Sequence, residues 1–209
     1  MSPKGPGVWI SLEAALREYQ SNSDHTHIIT KTGKRIDFLE IDSRQICLED
    51  IAHGLSHECR YAGQTPQFYS VAEHSVLVSI WAENSFNDIH LTRAALLHDA
   101  PEAYIGDVTT PLKNLCPGFK LIEKSFENEI FYRFHLQRGL CAPEVRIADR
   151  RLFQLEAMQF WPEMLGEFFP DGIPRGPHEW ESAKVPILSL EPEEAKTLFL
   201  KRASDLGIQ

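Results

Sequence analysis

Residues 70–99 read SVAEHSVLVSIWAENSFNDIHLTRAALLHD, and this stretch predicts two consecutive helices at the centre of the fold. Ser70 can cap the first helix, and Glu73 three residues later completes the pattern of a capping box. Apolar residues then recur every three or four positions, which is the period of a helix with a buried face. Asp88 can cap the second helix, whose apolar run continues to the adjacent pair His98-Asp99.

The same helical period extends to both sides of this stretch. It predicts five further helices, over residues 8–20, 47–55, 117–134, 143–155 and 192–206. Two β-prone runs, 28–30 and 36–39, flank a glycine turn and predict a small hairpin. Glycine and proline predict loops over 60–68 and 106–111 and an irregular segment over 160–186. The expected fold is therefore all-α, a helical bundle with a small N-terminal β-hairpin.

The length of 209 residues fits one domain whose core needs no disulfide or structural metal. We expect an N-terminal extension over residues 1–27, a core over 28–160 and a C-terminal extension over 161–209. The C-terminal extension would pack on the core, so that the whole chain forms a single domain.

Charge and cysteine content exclude several classes of protein. The formal net charge of −9 repels a nucleic-acid backbone, so polymeric nucleic acid is not expected as a partner, whereas a small phosphorylated molecule is allowed. The four cysteines contain no CxxC pair, which argues against a zinc ribbon and favours reduced thiols. No basic-then-apolar leader and no apolar run of about 20 residues is present, so we expect a cytoplasmic protein without a membrane partner.

Four residues form the candidate metal site: His74, His98, Asp99 and Asp149. Each has an ordinary alternative, since a histidine can be a satisfied core residue and an aspartate can cap a turn or pair with a neighbouring arginine. His98 follows a buried-looking run, however, and burying a histidine with a carboxylate is costly unless they are paired or bind a metal. Two histidines and two aspartates suit a divalent ion such as Zn, Mn, Co or Fe.

Further candidates surround this set. Glu102 and Asp107 follow Asp99 closely and could transfer protons, although helix-end capping is the alternative for both. Lys113 could reach a phosphate or simply be solvated. Arg60 can bind phosphate in a bidentate manner and Tyr61 can stack on a base or sugar, but a lone pair in a loop carries little weight. His53 and His57, four residues apart, could form another metal pair, but the favoured interpretation is that they flank a helix end.

Together these residues resemble the HD-domain metal-dependent phosphohydrolase superfamily, whose pattern H…HD…D matches His74, His98-Asp99 and Asp149. The likeness is closer to the bacterial and phage HD hydrolases similar to 5′-deoxynucleotidase. It spans roughly residues 30–160 and is most specific over residues 69–113. The segment from about Phe160 onward matches nothing in that family.

The resemblance implies an all-helical bundle with one divalent ion, for which Mg is a further candidate, held by the four residues of the pattern. It implies that Glu102 and Asp107 are catalytic acids and that Arg60 binds phosphate. Tyr61 stands where the deoxynucleotidases carry a tryptophan that crowds the sugar 2′ position. Lys113 belongs to the matching motif as a candidate substrate ligand. A homodimer is also consistent, with the stripe over 119–134 serving either as its interface or as core.

The expected function is hydrolysis of a deoxyribonucleoside 5′-monophosphate. Three alternatives remain open: a deoxynucleoside triphosphate triphosphohydrolase using the same site, a cyclic-nucleotide phosphodiesterase, and a non-catalytic nucleotide-binding module. A purely structural helical protein would leave the buried His-Asp pair unexplained. The released product separates the first two, and bound metal separates the catalytic readings from a structural one.

Overall fold

The computed structural model describes residues 26–172 and 186–209. The described part is mostly helical with a two-stranded antiparallel hairpin, which confirms the expected fold class. The elements are β1 (His27–Ile29), β2 (Arg35–Asp37), α1 (Leu48–His57), α2 (Val71–Phe86), α3 (Ile89–Leu96), α4 (Glu102–Ile105), α5 (Thr110–Leu115), α6 (Pro117–Arg133), α7 (Pro143–Phe160), α8 (Leu165–Phe168) and α9 (Pro192–Asp205). The helix predicted over residues 8–20 lies outside the described residues.

Two predicted irregular segments contain short helices: Pro162–Met164 forms a 3-10 turn, and α8 and the start of α5 also lie in such segments. Residues Arg60–Gly63 form a turn in which Tyr61 and Ala62 have left-handed backbone, consistent with the loop predicted there. Pro111 occupies the first turn of α5, where a proline is tolerated because its missing N–H would have no helical partner. Proline and glycine therefore marked helix boundaries correctly, but they were wrongly taken to exclude helix between them.

Helix α2 is the central element and packs against α1, α3, α7 and α9. Its first nine residues are all buried, four of them polar, so this half of the helix is enclosed on every side. Ser70 Oγ accepts a hydrogen bond from the Glu73 N–H at 3.1 Å, which confirms the predicted cap. The reciprocal half of the capping box is wrong, because the buried Glu73 carboxylate binds the backbone of residues 188–190 instead.

The polypeptide leaves helical geometry before it reaches His98. Asp88 caps α3 by accepting from the N–H groups of His90 and Leu91, as predicted. The helix ends at Leu96, two residues earlier than expected, and a tight turn follows in which Ala100 N–H donates to the Leu97 carbonyl at 3.0 Å. His98 and Asp99 therefore lie in a turn rather than on a helix.

The core joins the N-terminal hairpin to the C-terminal helix. Ile36 of β2, Phe126 and Ile130 of α6 and Phe199 of α9 are all buried in one cluster. The stripe on α6 that could have served as a dimer interface therefore contributes to the core. Helix α9 packs against α1 and α2. Within the described residues, no helix is long and apolar enough to cross a membrane.

Candidate metal centre

The four predicted ligands come together from three parts of the chain. His74 lies in the buried first half of α2, His98 and Asp99 lie in the turn after α3, and Asp149 lies on α7. Both α3 and α7 pack against α2, and this packing brings the three segments to one point. His74 is fully buried, and the side chain of His98 is only 8% exposed.

The ligand atoms approach one another closely. His74 Nε2 lies 3.1 Å from Asp149 Oδ1 and 3.7 Å from Asp99 Oδ2. His98 Nε2 lies 3.1 Å from Asp99 Oδ2 and 3.9 Å from Asp149 Oδ1. These contacts lack hydrogen-bond geometry, so both Nε2 atoms are buried without a hydrogen-bond partner. His74, His98 and Asp99 each offer an atom within 4.8 Å of the others, and this buried cluster could hold a metal ion.

The opposite ring nitrogens fix the orientation of both histidines. His98 Nδ1 lies 2.8 Å from the Ala95 carbonyl oxygen, which can only accept, so Nδ1 carries the proton. His74 Nδ1 lies 2.6 Å from Glu156 Oε1, which orients that ring in the same way. When the rings are neutral, each therefore presents an Nε2 lone pair to the cluster, as metal-binding histidines do.

Glu156 is the functional residue that sequence analysis missed. It is completely buried, and its carboxylate accepts hydrogen bonds from Tyr69 Oη at 2.7 Å and from Tyr61 Oη as well as contacting His74. Glu156 Oε2, the oxygen that also accepts from Tyr61, lies 3.5 Å from Arg60 Nη2. A signal was present, since Glu156 follows Asp149 by two helical turns and interrupts the apolar stripe of α7.

The carboxylates make the site strongly attractive to positive charge. Burial alone lowers the pKa of His74, and Arg60 lowers it further, but Glu156 and Asp149 outweigh both and raise it to about 9. Burial raises the pKa of Asp99, but the two histidines and Arg60 outweigh it and hold that pKa far below its usual range. Burial also raises the pKa of Glu156, but Arg60 and His74 outweigh it and lower that pKa. The protein thus stabilises a cation among these groups.

Arg60 and Tyr61 lie beside the cluster. Arg60 donates to Asp99 Oδ2 at 3.3 Å and also approaches Asp149, with only 11% of its side chain exposed. Tyr61 has left-handed backbone, φ 58°, and its N–H donates to Asp107 Oδ2 at 3.2 Å. Its ring packs edge-on against Trp161 with centroids 5.0 Å apart. The structure therefore places Arg60 at the ligands and Tyr61 in an aromatic cluster behind Glu156.

A cleft of about 180 Å³ opens next to the ligands. Its wall includes Glu102 and Arg146 as well as His98, Asp99 and Asp149. Burial, followed by repulsion from Asp99 and Asp107, raises the pKa of Glu102 well above its usual range. Arg146, one turn before Asp149 on α7, was not singled out from the sequence. The available signal was that Arg146 lies three residues before Asp149, a spacing that puts two side chains on the same face of a helix.

Lys113 and Asp107, the remaining predicted residues, both have hydrogen-bond partners within the protein. Lys113 donates to Glu102 at 3.0 Å and to Glu123 at 2.6 Å. Burial alone lowers the pKa of Lys113, but attraction to these carboxylates outweighs it and raises that pKa. Asp107 accepts from Tyr61, and its own N–H donates to Glu58 Oε1 at 3.0 Å, so it braces the loop that carries Arg60.

The fold and this cluster define an α-helical protein with a buried histidine–aspartate site that could hold a metal ion. No protein-family model matches the chain. It is 34% identical over 187 residues to the uncharacterized protein YfdR of Escherichia coli (strain K12), which covers 86% of this chain and 95% of the relative. It is 39% identical over 136 residues to an uncharacterized protein of Rhodobacter capsulatus, covering 61% of this chain and 69% of that protein. The chain belongs to the family of these proteins.

Proposed function

We propose that this protein is a metal-dependent phosphohydrolase that acts on a small nucleotide, with a deoxyribonucleoside 5′-monophosphate as the preferred candidate substrate. The observation that carries the proposal is the pair of buried nitrogens, His74 Nε2 and His98 Nε2, which face Asp99 and Asp149 without a hydrogen-bond partner. Leaving such atoms unsatisfied costs free energy, which coordination of a cation recovers.

The donor set fits one divalent ion. Two imidazole nitrogens and two carboxylate oxygens suit Mn, Co, Zn or Fe, with room for water on the side of the cleft, and Mg is a candidate only through the family resemblance. When bound, such an ion supplies Lewis-acid chemistry, withdrawing charge from a phosphoryl oxygen and making a water molecule more acidic. His74, His98, Asp99 and Asp149 would hold it.

Glu102 is the best candidate for the proton-transfer step. It lines the cleft, its raised pKa favours a proton on its carboxyl group, and its Oε2 is buried without a hydrogen-bond partner. A carboxylic acid in this state can donate its proton to the leaving 5′-oxygen. Lys113 holds the other oxygen of Glu102 and thereby orients it. Asp107 fits a supporting part, because it binds the backbone at Tyr61.

Two arginines could bind the phosphate. Arg60 lies among the ligands, where it can offset charge on phosphoryl oxygens once Asp99 binds an ion. Arg146 is exposed and lines the cleft, so it is the more accessible cation for an entering substrate. We therefore expect Arg146→Ala to raise KM more than it lowers kcat.

Hydrolysis of a deoxynucleoside triphosphate is the second candidate. Glu123 and Glu127 also line the cleft, and their carboxylates repel a highly charged triphosphate more than a monophosphate. The same feature leaves a non-catalytic nucleotide-binding module as the third candidate, since acidic groups can bind base amino groups without any chemistry.

The test is a screen for product release from all deoxyribonucleotides and ribonucleotides, with Mn, Co, Zn and Mg supplied in turn. We expect inorganic phosphate from deoxyribonucleoside monophosphates and no activity from Asp99→Ala. Triphosphate as the product would favour the second candidate. A protein that binds metal stoichiometrically but releases nothing from any nucleotide contradicts the hydrolase proposal.

A further inference from the structure

A second group of metal-binding side chains lies away from the candidate metal centre, between α1 and α9. His53 and His57 are one helical turn apart on α1, and their ring centroids are 4.2 Å apart. Glu193 belongs to the first turn of α9, which packs directly against α1. One ligand atom from each of the three residues lies within 4.8 Å of the other two.

The nitrogen atoms of this group are available for coordination. His57 Nδ1 lies 2.9 Å from the backbone carbonyl of His53, and because a carbonyl only accepts, the neutral ring keeps its lone pair on Nε2. His53 Nδ1 is buried and has no hydrogen-bond partner among the described residues. A buried ring nitrogen without a partner is an unsatisfied group that an ion can satisfy.

We propose that His53, His57 and Glu193 bind a divalent transition metal ion that links α1 to α9. Two histidines four residues apart present their rings on one helix face, and this spacing binds zinc in known helical sites. Two imidazoles, one carboxylate and a water molecule complete a tetrahedral coordination shell for Zn²⁺ or Co²⁺.

Two nearby lysines lower the expected affinity of this site for a metal ion. Lys31 and Lys196 lie near His53 and repel a cation. Both lysines form ion pairs with Glu49, at 2.6 and 3.1 Å, which offset part of this repulsion. Mg²⁺ prefers oxygen ligands, so the site should select zinc-like ions over magnesium.

Binding here would stabilise the packing of α9 on the rest of the fold. The ion contacts one side chain on α9 and two on α1, so it binds only where both helices are in place. A ligand that binds the folded state alone stabilises it by RT ln(1 + L/Kd) at free ligand concentration L, so the melting temperature rises with the logarithm of that concentration once it exceeds Kd. Zn²⁺ should therefore stabilise the protein even when the candidate metal centre is disabled.

The experiment measures Zn²⁺ stoichiometry and Tm for the full chain and four variants. We expect two equivalents for the unmodified protein and one for His57→Ala and for Glu193→Gln, both of which change exposed side chains and should fold. Asp99→Ala should lose the other equivalent but keep a Zn²⁺-dependent rise in Tm. His90→Ala removes an exposed histidine on α3 and is the matched control, with two equivalents expected.

Three results would overturn the proposal. The first is an unchanged stoichiometry in both His57→Ala and Glu193→Gln. The second is binding of the second equivalent only at millimolar Zn²⁺, which marks adventitious binding. The third is a rise in Tm that Asp99→Ala abolishes and His57→Ala retains. None of these results depends on phosphohydrolase activity, because the site shares no residue with the candidate metal centre.

Discussion

Replacing Glu156 by glutamine keeps the shape of the side chain and removes the charge that orients His74. In the native protein the Glu156 carboxylate receives His74 Nδ1 at 2.6 Å and Tyr69 Oη at 2.7 Å inside a completely buried site. Both groups bind Oε1, so a glutamine oxygen at that place can still accept from them, but it carries no charge. Its N–H₂ then faces the Tyr61 hydroxyl and Arg60, which both donate to Oε2 in the native protein.

The expected loss follows from these contacts. A carboxylate behind a ligating histidine fixes the ring and makes it a stronger base, and its removal typically weakens metal binding about 10- to 100-fold. That range corresponds to about 1.4–2.7 kcal/mol of binding free energy. Stability of the metal-free protein should fall by about 1–3 kcal/mol, because partners of a buried charge are left poorly satisfied.

Calorimetric titration with Mn²⁺ and Co²⁺ measures the first quantity, and urea unfolding of the metal-free protein measures the second. Glu163→Gln, an exposed glutamate on the segment after α7, is the matched control and should change neither. Tyr69→Phe removes one hydrogen bond to the same carboxylate and should show a smaller loss of affinity if Glu156→Gln proves poorly folded. Native-like metal affinity in a well-folded Glu156→Gln protein would refute the positioning role.

Three further predictions concern stability. Gly54→Ala should destabilise the protein by about 1–3 kcal/mol in urea unfolding, although alanine usually favours a helix, because its Cβ would lie 2.6 Å from the Ala103 carbonyl oxygen. Glu73→Gln should cost about 2 kcal/mol and increase proteolysis around residues 188–190, since its carboxylate binds three N–H groups of that segment. Asp50→Asn should cost about 2 kcal/mol at pH 7. Burial raises the pKa of Asp50, but bonds from Cys47 and Thr32 outweigh it and lower that pKa, so the stabilisation is present above the unfolded pKa near 4 and disappears as pH falls through the folded value. The gap between Asp50→Asn and the native protein should therefore close below about pH 4, and a gap that is constant with pH would contradict this explanation.

Local signals predicted the helices and the hairpin well. Ser70 and Asp88 each cap a helix through their own side chains, and the register of Ile28 opposite Ile36 follows from the glycine turn between them. Such features depend on residues within a few positions of one another, so a single sequence contains nearly all the information they require.

The errors came from residues whose partners are distant. Glu73 fits a capping box by spacing, but its carboxylate binds backbone more than a hundred residues later along the chain. Lys113 was open to two interpretations, a phosphate ligand or a solvated side chain, and the sequence did not show that the packing of α5 against α6 brings it to Glu123. A pattern of a few residues carries no information about which helices will meet.

The sequence by itself determined the all-α fold with its hairpin and identified the four residues that the structure brings together, because helical period and residue chemistry are local properties. Only the tertiary structure decided the orientation of His74. Glu156 is 82 residues away from it, and the contact exists because α2 and α7 pack together. Burial in that contact also sets the charge state of the site, since a carboxylate and a histidine acquire shifted pKa values only once water is excluded from around them.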